Sequence, residues 1–159
     1  MLKSIFKFLL LVIILNVARY VVGFPFEKFL LLDRLFGAME RSSSYFNIQY
    51  STFDWVTSYF YNFMMWFATT LVFVLLGSKL KGSYILRSLK VYALMFLMFA
   101  SVSAIYMNHY SHPKDFYFYN ILDGLIVFCL VATVNGLIYP RVFKTEIAQE
   151  SLSQKQPIS

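Results

Sequence analysis

Residues 116–139 read FYFYNILDGLIVFCLVATVNGLIY, and this stretch decides what kind of chain this is. Asp123 is its only acidic or basic residue. An α-helix rises about 1.5 Å per residue, so the stretch reaches about 36 Å, enough to cross a hydrocarbon layer about 30 Å thick. Working back toward the amino terminus, residues 88–107, 55–76 and 5–24 have the same length and apolar character. The expectation is an all-α integral membrane protein with four transmembrane helices in a bundle. Residues 1–147 form that one domain, and the polar residues 148–159 a disordered cytoplasmic tail.

Composition agrees. Hydrophobic residues make up 59% of the 159 residues and charged residues 14%, against about 45–50% and about a quarter in soluble domains. The net charge of +6 does not read as a nucleic-acid surface, because the basic residues cluster beside the apolar runs. Nine of the 14 lie at one set of ends: Lys3, Lys7, Lys79, Lys81, Arg87, Lys90, Arg141, Lys144 and Lys155. Lys28, Arg34, Arg41 and Lys114 lie at the other, and Arg19 falls within the first span. The richer side is expected to be cytoplasmic, which places both termini inside and the chain in the plasma (inner) membrane. Lys3 and Lys7 ahead of an apolar core also fit a signal peptide. No small-residue cleavage site follows, however, and Arg19 and Tyr20 occupy its place, so an uncleaved helix is expected. Cys129 is the only cysteine, which excludes an intramolecular disulfide and predicts a packed thiol.

Between the first two spans, residues 27–41 place Phe29, Leu32, Leu35, Phe36 and Met39 on one helical face. Glu27, Asp33, Arg34, Glu40 and Arg41 lie on the other. This predicts a short amphipathic helix lying in the outer interface or across the bundle mouth. Ser42-Ser43-Ser44 ends it. The partial alternation over 45–52 allows a short extended piece. Asp54 is expected to cap the second span, and residues 77–82 to form a tight basic turn between two glycines.

Polar residues inside the spans are the informative ones, because hydrocarbon solvates them poorly. Arg19 lies about 8 Å and Asp123 about 10 Å below the outer ends of their spans. Asn16, Asn62 and Ser101 fall at about 10–12 Å on the same count. The expectation is an outer polar layer of Asn16, Arg19, Asn62, Ser101 and Asp123, with Arg19 and Asp123 paired at its centre. Separate snorkelling of Arg19 to the headgroups and a ligand or proton site are the alternatives. His109 and His112 have the spacing of a metal-binding pair, but Pro113 favours extended backbone at His112, so they are weak ligand candidates. Aromatic residues crowd the outer ends, from Tyr45 to Tyr61 and from Tyr106 to Tyr119, as interface anchors do.

No phosphate-binding loop, dinucleotide fingerprint, Cys-x-x-Cys, His-Glu-x-x-His or Gly-x-Ser-x-Gly is present, so no motif names a reaction or a cofactor. The sequence therefore points away from an enzyme. It points toward a membrane protein that binds a partner, as an accessory subunit of a membrane complex or an immunity-type protein. Membrane lipids and another membrane protein or a second copy are the expected neighbours. The alternative is an outer-side pocket for a lipid, quinone or small solute, serving a redox, lipid or transport process.

Overall fold

The computed structural model describes residues 2–46, 49–110 and 113–144. Every regular element among them is helical. They are α1 (Leu2–Ala18), a π turn (Arg19–Gly23), α2 (Phe24–Leu30), α3 (Leu32–Glu40), α4 (Thr52–Leu76), a 3-10 turn (Gly77–Lys79), α5 (Tyr84–His109) and α6 (Lys114–Val142). Four helical stretches among the described residues are long and apolar enough to cross a membrane: Leu2–Leu30, Thr52–Lys79, Tyr84–His109 and Lys114–Val142. They contain the four expected spans, each extended by a few residues.

Local chemistry sets these ends. α4 starts earlier than the expected cap at Asp54 because Ser51 is the cap. The Ser51 hydroxyl accepts from the Asp54 N–H at 3.3 Å, and the Asp54 carboxylate accepts from the Ser51 N–H at 2.8 Å. This reciprocal box satisfies two donors that a helix start leaves open. Ser83 caps α5 by accepting from the Leu86 N–H. Between α4 and α5, Gly82 takes a φ of +115°, a conformation open to glycine. The Arg87 Nε donates to the Gly82 carbonyl at 2.7 Å, and Lys90 Nζ to the Lys81 carbonyl at 3.1 Å. Basic side chains thus satisfy the turn's carbonyls. The described part of residues 45–52 is turn and bend leading into α4, with no strand. The tail expected over 148–159 lies outside the described residues.

The largest departure from the sequence reading follows the first span. The helix expected over 27–41 is divided at Leu31, whose φ of −135° leaves the helical region. Residues 24–30 continue the first span's helix, and α3 is a separate short helix. Pro25 explains the joint. Proline has no N–H and its ring crowds the carbonyl four residues back. The π turn immediately before it widens the helix by one residue and absorbs that conflict. α3 packs on α2 and α6, with Ala38 buried and Asp33, Arg34 and Glu40 outward. Arg41, at its end, pairs with Asp115 at the start of α6.

The bundle is a four-sided ring. α1 packs on α4 and α6, and α5 packs on the same two, so α4 and α6 face each other across the diagonal. Trp66 and Phe128 close that diagonal with ring centroids 4.9 Å apart. Leu11, Leu15, Phe73, Val91, Tyr92 and Val131 fill in around them. α5 and α6 make the tightest pair. A Cβ added at Gly136 would sit 2.4 Å from the Ile85 Cα, so the bare glycine lets the two backbones approach closely. Beside it, Asn135 donates to the Ser88 hydroxyl at 2.9 Å, with both residues fully buried.

The outward faces are apolar too. Phe6, Ile13, Val17, Val56, Leu97 and Ile105 are all exposed, far more apolar surface than a water-facing monomer carries. Cys129 is exposed among them, which corrects the expected packed thiol. Its position on α6 turns it away from the core face that Phe128, Val131 and Ala132 occupy.

Candidate functional site

Arg19 begins the π turn, and Glu27 lies eight residues on in α2. In a regular helix eight residues rotate by about 800°, leaving the two side chains about 80° apart. The π turn takes up one extra residue, so the rotation falls to about 700° and the side chains come within about 20° of one face. Glu27 leans back toward the helix start, as helical side chains do. Arg19 passes over Gly23, its Nη1 3.5 Å from where a Cβ would be. The result is a two-pronged ion pair. Nη1 donates to Oε2 at 2.7 Å and Nη2 to Oε1 at 2.5 Å. The side chains are 15% and 4% exposed.

Arg19 is therefore held by Glu27, where the sequence reading expects Asp123. Asp123 of α6 instead lies beside the pair, its carboxyl facing Glu27 and within electrostatic range of Arg19. Two carboxyl groups and one guanidinium meet at one place. Two atoms there, Arg19 Nε and Asp123 Oδ1, are buried with no hydrogen-bond partner among the described residues.

Arg19 and Asp123, the residues that carry these orphaned atoms, line a cavity of about 200 Å³. Arg19, Asn62, Asn120 and Asp123 supply its polar wall; Met65, Trp66, Phe99, Val127 and Phe128 are among its apolar lining residues. Gly124 keeps the Phe99 ring close, since a Cβ there would lie 2.6 Å from the Phe99 Cε1. The orientation of Asn62 follows from its neighbour. The Trp66 Nε1, which is only a donor, gives its hydrogen to the Asn62 Oδ1 at 2.8 Å. The Asn62 amide must then turn its two N–H donors the other way.

Of the five residues expected in a polar layer, Arg19, Asn62 and Asp123 share this cavity. Asn16 does not; its amide donates back to the Val12 carbonyl at 2.9 Å. Ser101 is exposed on α5 and donates to the Leu97 carbonyl at 2.7 Å. Each satisfies itself within its own helix, as isolated polar side chains in apolar helices do. Glu27 and Asn120 are the members that the layer misses. Asn120 sits one turn before Asp123 on α6, a spacing visible in the sequence. Glu27 was hidden because its charge suggests the water-facing side of an interfacial helix; the signal for it is Pro25, which allows a helix to continue through a widened turn. His109 is the exposed last residue of α5, and His112 lies outside the described residues. No group of three metal-binding side chains occurs among the described residues.

No protein-family model, curated protein or solved structure matches the chain.

Proposed function

We propose that the chain is a four-span membrane protein that holds a small polar solute in the cavity between Arg19, Asn62, Asn120 and Asp123. The observation that carries this reading is the pair of orphaned buried polar atoms, Arg19 Nε and Asp123 Oδ1, on two residues that line an open space. Buried polar groups are almost always hydrogen-bonded, and the cavity that Arg19 and Asp123 line is the space in which a partner for these two would sit. The cavity's volume of about 200 Å³ has room for several water molecules or one small solute. That is small for a quinone or an acyl chain.

The exposed apolar faces support insertion in a bilayer, where lipid covers them. The basic ends of α1, α4, α5 and α6 favour a cytoplasmic side carrying both termini. The cavity then opens toward the outer half of an inner membrane, with α3 against the bundle at the outer interface. The exposed aromatic residues Tyr50, Phe53, Trp55, Tyr59 and Tyr110 suit anchoring at that surface. The apolar faces suit lipid as well as a protein neighbour, so the accessory-subunit reading draws no separate support from them.

The test uses acrylamide, a small neutral quencher, on sealed vesicles carrying the full chain. A Trp55→Phe background leaves Trp66 as the only tryptophan. Acrylamide added outside is expected to quench Trp66 in this protein, and to quench it much less once Asn120→Phe fills the cavity. Equal quenching of the two proteins would sink the proposal.

A further inference from the structure

Resting on that small-solute reading, we infer that the cavity selects a cation: a compact amine that also carries a hydroxyl or carbonyl oxygen. The groups around it differ in number by sign. Glu27 on α2 and Asp123 on α6 are acidic, Arg19 is basic, and the residues contributed by α4 and α5 are uncharged. The guanidinium spends both terminal nitrogens on Glu27. Asp123 is left with a buried oxygen that accepts nothing from the protein. One positive charge balances the set, and the cavity is large enough for it to arrive on a solute.

The walls suit the same ligand. Trp66, Phe99 and Phe128 are among the residues around the space, Phe99 the least buried of them. Aromatic faces attract ammonium groups, most strongly where water is excluded. The Asn62 N–H donors, turned away from Trp66, require an acceptor that an ammonium group lacks. A ligand satisfying both ends has an amine to meet Asp123 and an oxygen to accept from Arg19 Nε or Asn62. An anionic solute meets the reverse, an acid facing an acid.

Such an amine occurs as a free solute and as the headgroup of a phospholipid. The experiment compares three probes of nearly equal size on the Trp55→Phe protein in neutral detergent: ethanolamine, ethylene glycol and glycolate. Trp66 emission and thermal stability are the readouts. Ethanolamine is expected to act saturably and at least tenfold more tightly than either of the others. Asp123→Asn is expected to remove that preference. Should this variant fail to fold, the charge series on the parent protein still decides. A second arm titrates phosphatidylethanolamine against phosphatidylglycerol in nanodiscs. Saturation by the former alone assigns the headgroup, and saturation by free ethanolamine assigns the solute; both support an amine site. Equal or tighter binding of ethylene glycol or glycolate overturns the cationic preference while leaving a solute pocket standing. No response to any probe, with Trp66 still quenched by external acrylamide, overturns the preference alone; no response with no quenching removes both.

Discussion

Replacing Arg19 and Glu27 together should cost the fold less than replacing Arg19 alone. The two side chains are joined by contacts of 2.7 and 2.5 Å and are 15% and 4% exposed, so water screens them little. With charge centres about 4 Å apart and an effective dielectric constant of about 20, their attraction is about 4 kcal/mol. Arg19→Gln leaves Glu27 and Asp123 facing each other without a cation, and an expected loss of about 4 kcal/mol falls in the range for breaking a buried pair. Glu27→Gln is milder, about 2–3 kcal/mol, because the guanidinium still has Asp123 nearby. In the double variant Asp123 loses one attractive and one repulsive neighbour together, and two amides remain to hydrogen-bond. The expected loss is about 2 kcal/mol, a coupling of about 4 kcal/mol that matches the pair attraction. Detergent-driven unfolding in mixed micelles, followed by Trp66 emission and circular dichroism, measures all three. The matching cycle of Arg19→Gln with Asp123→Asn should give a coupling under about 2 kcal/mol. A larger coupling to Asp123 than to Glu27 would refute the pairing and, with it, the geometry of the π turn.

Gly136→Ala should destabilise the bundle by about 2 kcal/mol in the same assay. The overpacking cost of about 1–3 kcal/mol sits at its upper end because the obstacle is the Ile85 backbone, while improved helix propensity returns at most about 1 kcal/mol; a stabilised variant would show that α5 and α6 are not so close. Ser51→Ala removes one half of the box that starts α4 and should lower stability by about 1 kcal/mol, with hydrogen exchange rising at Phe53–Trp55 and unchanged at Trp66.

The chain's apolar runs made the four helices legible, because each run is long and apolar enough for one helix that could cross a membrane. The candidate cavity was half legible. Depth counted along each span brought Arg19, Asn62 and Asp123 to one level, and the structure places all three on one cavity. The same counting included Asn16 and Ser101, which depth alone cannot distinguish from residues that bond back to their own helix. That choice depends on which face of the helix each side chain occupies in the packed bundle.

Glu27 shows where sequence reading stops. Its place beside Phe29 and Leu32 suggested an amphipathic helix, and only the continuous helix through Pro25 turns it inward. Residue order along the chain determined the number of helices, their lengths and the basic character of one set of ends, since these depend on local composition. Tertiary structure decided which acid holds Arg19, which carboxyl oxygen is left over, and that a cavity lies beside them. A single widened turn rotates everything after it by about 100°, and no property of the individual residues shows that rotation until the helices are packed.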